Sequence, residues 1–153
     1  MENRHLCRGK RTDNGEWVEG FYFCMTHPNG RHTQDFIIPL GAELSPGTPI
    51  EKIQIEVDSD TICWCTGLKD KNETLIWEND IVSFVHEKMK ETDLLGVEKY
   101  IRNYVVEFEN TFSNYGLRFR NKSIHFKCKQ STLCMHGCEV IGNMIDNPEL
   151  LEV

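Results

Sequence analysis

Four side chains that commonly bind metal ions lie within eleven residues near the C-terminus of the sequence. They are Cys128, Cys134, His136 and Cys138. A structural zinc site takes four sulfur or nitrogen ligands, usually from paired Cys-x(2–4)-Cys turns. Only one such pair is present here, since Cys63 and Cys65 have the i, i+2 spacing of a strand. The spacing favours thiols packed on a sheet, and we predict no metal site, with these four residues as the candidate ligands if one exists.

A basic segment overlaps the start of that cluster. Between Arg118 and Lys129 the sequence has five Lys or Arg residues and no acid, so this segment carries +5 of a total charge of −7. Two alternating runs change phase around residues 121–123, which predicts a hairpin with one basic face. Such a face suits phosphate or an acidic protein surface, although lysines also protect exposed sheet edges. The candidate partner-binding residues are Arg118, Arg120, Lys122, His125, Lys127 and Lys129.

The carboxylates that could act as catalytic acids or bases stand in turn-like contexts. They are Asp70, Glu78, Asp80, Asp146 and Glu149. No spacing requires two of them to face each other, so turn and capping roles are expected instead. The sequence also contains no glycine-rich phosphate loop, nucleophile elbow or His-x-x-x-His pair. We therefore predict no catalytic residues, no cofactor and no enzymatic activity.

The composition favours β-structure. Of 153 residues, 46 are Val, Ile, Thr, Tyr, Phe or Trp, and there is one alanine, the residue with the highest helix propensity. No apolar run is long enough to cross a membrane, and no secretory signal begins the sequence. Seven cysteines without an export signal are expected to be reduced and mostly buried. A soluble, cytoplasmic, mainly β protein with little helix is predicted.

Turn signals divide the N-terminal half into strands. Asp13-Asn14-Gly15 and His27-Pro28-Asn29-Gly30 predict two hairpin turns, with a further strand over Thr33–Ile38. Residues 39–49 contain three prolines and are expected to form a loop. The alternation of Ile53, Ile55 and Val57 with polar residues predicts a strand over Glu51–Val57. These elements form a predicted N-terminal β subdomain, residues 1–60.

The C-terminal half also reads as short strands. They are expected over 61–66, 75–77, 81–85, 100–109, 115–120, 123–129 and 139–145, with a helical turn opened by Pro148. Residues 86–99 carry charges of both signs, and we interpret them as an exposed excursion, weakly helical at best. These elements form a second predicted subdomain, residues 61–153.

Three separated stretches of this sequence resemble the YopX-like proteins of phages and prophages. The first runs through Arg8–Arg11 and Asn14–Gly20, the second through Thr66–Asn72 and Ile76–Val82, and the third through Glu139–Asn143 and Asp146–Leu151. The family usually has glycine where this chain has Glu73 and Asn79. Asn tolerates a left-handed backbone, whereas Glu does so at a cost. We therefore expect Asn72 to take that conformation in place of Glu73, or a turn of another type.

The resemblance implies a small β-rich protein of bacterial phages and integrated elements. The strands beginning at Asp80 and around Tyr104–Phe108 further resemble an SH3-like barrel, which we expect to make up the second subdomain. The expected function is a non-enzymatic protein-interaction module that binds a host or phage protein, or a second copy of itself, without contacting a membrane. The alternative is a nucleic-acid-binding phage regulator that uses the basic hairpin 118–129. The acidic remainder of the chain favours a protein partner.

Overall fold

The computed structural model describes residues 5–43, 45–89, 96–109, 114–118 and 137–151. These residues contain ten β-strands and only short 3-10 helices, which confirms the predicted mainly β class. The chain divides into two compact units, Met1–Cys65 and Thr66–Val153. No helix in the described ranges is both long enough and apolar enough to span a membrane.

The first unit is an antiparallel sheet. Its strands are β1 (Cys7–Lys10), β2 (Trp17–Thr26), β3 (Thr33–Pro39), β4 (Ile55–Val57) and the first residues of β5 (Cys63–Lys69). They lie in the order β4-β3-β2-β1-β5. Both predicted hairpin turns are confirmed, since Gly15 has a φ of 73° and Gly30 a φ of 65°. Sequence neighbours therefore become sheet neighbours from β1 to β4.

One buried cluster of the first unit is formed by residues of β1, β3 and β4. Cys7, Ile37 and Val57 are buried together. Strand β4 pairs with β3 on one side. On its other side Val57 forms a bridge with Arg11, and the amide of Asp58 donates to the carbonyl of Lys10, the last residue of β1, at 2.8 Å. Gly20 has no room for a side chain, because a Cβ there would lie 1.9 Å from the carbonyl oxygen of Ile38.

The strand predicted over Glu51–Val57 is only half correct. Residues Ile50–Lys52 form a 3-10 helix, and the strand covers Ile55–Val57 alone. Pro49 precedes the helix, and the amide of Gln54 donates to the carbonyl of Ile50 at 2.9 Å. These local hydrogen bonds compete with sheet pairing, so the alternation of apolar and polar residues overestimated the strand.

The second unit contains a four-stranded antiparallel sheet. Its strands are β7 (Asp80–Met89), β8 (Val97–Glu109), β9 (Asn114–Arg118) and β10 (Cys138–Asn143), in the order β10-β7-β8-β9. Strand β6 (Leu75–Trp77) lies beside β5. The predicted helical turn at Pro148 is confirmed as a 3-10 helix over Pro148–Leu151.

Both faces of the β7–β8 pair are buried near the start of β7. Val82 and Tyr104 pack in one apolar cluster, whereas Ile81 and Val105 pack with Leu151 in another. Successive residues of a strand point to opposite faces. Two cores on one strand pair therefore explain why Ile81-Val82 and Val105-Val106 are continuously apolar.

The charged excursion expected over residues 86–99 is strand at both described ends. Strand β7 continues to Met89 and β8 begins at Val97, so residues 86–89 pair with 97–100. We call the two paired strands β7 and β8 the β7–β8 ribbon. Two of the charges have a cross-strand explanation, because Glu87 lies opposite Lys99 and forms an ion pair with it. Opposite charges on facing positions stabilise a strand pair. Residues 90–95 lie outside the described ranges.

Candidate binding surfaces

The predicted basic hairpin falls mostly outside the described residues. Arg118 ends β9, where its backbone pairs with Val105 of β8. The other candidate residues are not described: Arg120, Lys122, His125, Lys127 and Lys129. A basic partner-binding face on this hairpin therefore stays a prediction.

Of the four candidate metal ligands, only Cys138 is described. It begins β10 and is fully buried in the apolar cluster with Ile76, Val82 and Tyr104. Burial, and next the charge of Asp70, raise the pKa of the Cys138 thiol to about 11. A metal-binding cysteine must be a thiolate, so this environment favours a packing role. Within the described ranges no three potential ligands come together, and Cys128, Cys134 and His136 lie outside them.

Most of the described cysteines are buried. Cys7, Cys63 and Cys65 are buried free thiols of the first unit, and Cys24 is exposed on β2. Burial, and next the neighbouring Cys63, raise the pKa of Cys7 to about 12. The raised pKa keeps the Cys7 thiol protonated at neutral pH, and the three buried cysteines fill the core of the first unit as small apolar side chains.

Asp70 organises the turn between β5 and β6 and fixes it to β10. Its side chain is 1% exposed. Oδ1 accepts the amides of Asn72 at 2.8 Å and Thr74 at 2.9 Å, and Oδ2 accepts the amide of Val140 at 3.0 Å. Burial alone would raise the pKa of this carboxyl. The hydrogen bonds outweigh it, so the pKa of Asp70 is lowered.

Asp80 plays a similar part at the start of β7. It is also 1% exposed, and its Oδ2 accepts the amide of Trp77 at 2.8 Å. Farther along the chain, Asp146 accepts the side-chain amide of Asn143 at 3.1 Å. Glu149 stands in the first turn of the last 3-10 helix. The turn role expected of these carboxylates is therefore observed at Asp70 and Asp80, which accept backbone amides.

The two positions where the family usually has glycine both adopt a left-handed backbone. Glu73 has a φ of 64° and Asn79 a φ of 65°. The expectation for Asn79 is confirmed. The expectation that Asn72 replaces Glu73 in this conformation is wrong. Asp70 explains the difference, because Asn72 and Thr74 are both held by its carboxylate and the intervening Glu73 amide donates to the Asp70 carbonyl at 3.1 Å.

Gly142 allows a close approach inside β10. A Cβ at this position would lie 2.7 Å from Oδ1 of Asn147 and 2.8 Å from Cδ1 of Leu150. The register of β10 against β7 also shifts between Val140 and Gly142. This bulge and the missing side chain bring the last 3-10 helix against the strand.

The β7–β8 ribbon presents an aliphatic face. Val85 lies directly opposite Ile101, and the two side chains are 60% and 69% exposed. Val97, 52% exposed, lies on the same face farther along β8. Glu87 and Lys99 lie between the Val85–Ile101 pair and Val97 on this face, with Oε1 and Nζ 3.4 Å apart. We call Val85, Val97 and Ile101 the aliphatic patch.

The other face of the same ribbon is aromatic and carries a cation. It is formed by Phe84, His86, Tyr100, Arg102 and Tyr104. The rings of His86 and Tyr100 stack with centroids 5.3 Å apart and planes at 17°, and the guanidinium carbon of Arg102 lies 5.1 Å from the centroid of Tyr100. We call this set the aromatic face.

The sequence model of the YopX protein family matches residues 8–152. The chain belongs to the YopX family. A solved structure, protein EF1440 from Enterococcus faecalis, is similar to it with a TM-score of 0.50 and 25% identity. The similarity covers 95% of this chain and 96% of EF1440. No curated protein sequence matches the chain at a significant level.

In this YopX-family chain, sequence reasoning missed both faces of the ribbon. The pattern Tyr100-x-Arg102-x-Tyr104 lies in the strand predicted over 100–109 and could have indicated the aromatic face, but its partner His86 fell in the excursion expected over residues 86–99. The first unit also has a polar cleft of about 490 Å³, whose acids include Asp35, Glu56 and Asp58. Asp35 already accepts the hydroxyl of Tyr22 at 2.6 Å, and Asp58 caps a 3-10 helix. Most of the cleft's charge is thus used within the fold.

Proposed function

We propose that this YopX-family chain is a non-enzymatic protein-interaction module of bacterial phages and prophages, acting in the cytoplasm. The observation that carries the proposal is the aliphatic patch on the β7–β8 ribbon. Contiguous apolar side chains that stay exposed on a soluble protein mark interaction surfaces. Val85 and Ile101, paired across two strands and each more than half exposed, form the centre of such a surface.

The chemistry around the patch indicates the kind of partner. The ion pair of Glu87 and Lys99 adds one charge of each sign, so the surface is neutral. Nucleic acid held mainly through its phosphates would require net positive charge, and the described residues of this surface include no aromatic ring on which a base could stack, whereas an apolar centre with a mixed polar rim is the arrangement of protein–protein interfaces. The proposed occupant is therefore another protein with an aliphatic surface. A second copy of this chain is one outcome of the test below.

The buried carboxylates support a non-enzymatic role. Asp70 and Asp80 are the described acids with the least exposure, and both accept backbone amides in turns. A catalytic acid or base must instead reach a substrate proton. The family motifs that contain these residues thus read as scaffold.

Two finer features belong to the same proposal. We propose that the strands of the second unit form an SH3-like barrel, and that the basic hairpin 118–129 provides a further partner contact. Reversing the charge of Arg118, Arg120 and Lys127 together should then weaken capture of a protein partner. Unchanged capture would remove this hairpin from the proposed interface.

The patch is tested by a double substitution, Val85→Lys with Ile101→Glu. Facing Lys and Glu residues keep a favourable cross-strand pair, and the net charge is unchanged. The matched control is Leu40→Lys with Ile50→Glu, because these aliphatic side chains of the first unit are also about half exposed, at 50% and 44%. Affinity purification from lysogenic bacteria and light scattering of the purified protein are run on all three forms.

We expect a partner that the wild type and the control retain equally, and that the patch variant loses by tenfold or more. A loss of mass in light scattering that is confined to the patch variant would identify that partner as a second copy. Equal capture and equal mass for all three forms, with unchanged circular dichroism, would contradict the proposed function.

A further inference from the structure

The aromatic face lies on the opposite side of the ribbon from the aliphatic patch. In the β7–β8 register His86 faces Tyr100 and Phe84 faces Arg102, one position away from Val85 and Ile101 along each strand. Alternate residues of a strand point to opposite sides. The two surfaces are therefore independent, and the aromatic face can be examined without assuming the proposed protein partner.

Planar groups follow one another across the aromatic face. His86 and Tyr100 are stacked, with centroids 5.3 Å apart and planes at 17°. Arg102 places its guanidinium carbon 5.1 Å from the centroid of the Tyr100 ring. Arg102 is exposed, and the two rings are half-buried. The solvent side of this surface thus offers a flat π-system with one positive charge at its end.

Buried neighbours hold these rings in place. The hydroxyl of Tyr104, a residue that is 4% exposed, lies 3.0 Å from Nε2 of His86 in a hydrogen bond. Phe84 meets the edge of the Tyr104 ring, with centroids 5.8 Å apart. A ring fixed by the core loses little conformational freedom when a ligand stacks on it. The face is therefore organised before any ligand arrives.

A ligand for this face needs a flat aromatic surface and an adjacent negative charge. Nucleotides in a single strand have both, because their unpaired bases stack on aromatic rings and guanidinium planes. We propose that the aromatic face binds single-stranded nucleic acid, with a base stacked on the Tyr100–Arg102 pair and the neighbouring phosphate beside the guanidinium. In a duplex the same base faces are covered by neighbouring base pairs.

The charges of the chain determine how such binding must work. The net charge is −7, so long-range attraction of a polyanion is weak. On the aromatic face itself Glu98, exposed two residues before Tyr100, repels a phosphate chain. The bound nucleic acid therefore passes on the side of Arg102 and Phe84. Stacking has to supply most of the affinity, and few phosphates are neutralised.

The experiment measures fluorescence anisotropy of a labelled twelve-nucleotide oligo(dT) with the full chain, at several salt concentrations. Tyr100→Phe keeps the ring and should bind like the wild type. Tyr100→Leu should weaken binding about tenfold or more, in line with the usual effect of removing one stacked base contact. Arg102→Lys keeps the charge and loses the plane, so it should weaken binding several-fold with the salt dependence unchanged. One neutralised phosphate corresponds to a slope of log K against log salt of about −0.7.

The patch variant with Val85→Lys and Ile101→Glu is the matched control, since it alters the other face. It should bind the oligonucleotide like the wild type even where it loses its protein partner, so the two proposals fail separately. No binding by the wild type would overturn the inference. Equal affinity for a duplex of the same length would do so as well, as would full affinity in a folded Tyr100→Leu variant.

Discussion

Replacing Asp70 with Asn tests whether the central family motif is a structural device. In the wild type the carboxylate accepts three backbone amides while it is 1% exposed. Asn keeps one oxygen, which can still accept Asn72 and Thr74. Its amide group, however, would face the amide of Val140, so that two donors meet. The variant therefore isolates one hydrogen bond and the charge, with the shape of the side chain preserved.

The expected loss follows from these contacts. A hydrogen bond to a charged group contributes roughly 1.5–3 kcal/mol, and a buried donor left without an acceptor costs about 1–3 kcal/mol. We expect Asp70→Asn to lower the free energy of unfolding by about 2–3 kcal/mol at pH 7. Asp70→Ala should lower it by about 3–5 kcal/mol, because all three amides lose their acceptor. Urea unfolding gives the total, and hydrogen exchange of the Val140 amide reports the local opening.

The pH dependence gives the second part of this test. The pKa of Asp70 is lower in the folded chain than its ordinary value, so the carboxylate stabilises the fold fully above the unfolded pKa of about 3.9. That stabilisation is lost as the pH falls through the folded pKa. The gap between wild type and Asp70→Asn should be constant from pH 7 to about pH 5 and shrink below pH 4. Equal stabilities at pH 7, or a gap that widens in acid, would refute the reasoning.

Three further predictions concern the backbone and the thiols. Glu73→Gly removes left-handed strain of about 1–2 kcal/mol but stabilises the unfolded chain by about 0.4–1 kcal/mol through added backbone freedom. Urea unfolding should therefore show a stability equal to or slightly above that of the wild type. A loss of stability above about 1 kcal/mol would contradict the strain at Glu73. Gly142→Ala should destabilise the chain by about 1–3 kcal/mol, because its Cβ would lie 2.7 Å from Oδ1 of Asn147; an unchanged midpoint in thermal unfolding would count against this contact. In a thiol assay of the native chain at pH 8, the exposed Cys24 should react. The buried Cys7, whose pKa is raised to about 12, should react only after denaturation. Mass spectrometry that finds Cys7 labelled before Cys24 would contradict the burial of Cys7.

The sequence was most informative where a single local interaction determines the structure. The Asn14-Gly15 and His27–Gly30 turns need only a few adjacent residues, and both are present. The alternating segment before Val57 was misjudged, because hydrogen bonds within Ile50–Gln54 compete with pairing to a strand that is distant in sequence. The periodicity of apolar residues alone does not indicate whether the local hydrogen bonds or the pairing with a distant strand is more stable.

The binding faces were harder to foresee for the same reason. The mixed charges of residues 86–99 looked like a solvated loop, since their partners lie on the opposite strand. Once Glu87 is placed against Lys99 and His86 against Tyr100, the same residues become a paired ribbon. Pairing register depends on the whole sheet, and one short sequence window does not specify it.

The distribution of the family motifs along the chain indicates where functional differences between YopX proteins should be sought. The residues of the motifs with the clearest structural roles, Asp70, Asp80 and Gly142, fix turns and a close strand–helix approach. None of the residues of the aliphatic patch or the aromatic face belongs to a motif, because both surfaces lie between the second and third stretches. Turns that position β7, β8 and β10 leave the exposed ribbon side chains free to vary at little cost in stability. A family built this way can keep one scaffold while its members bind different partners, so exchanging residues 85–102 between two members should transfer binding specificity and leave the unfolding midpoint nearly unchanged.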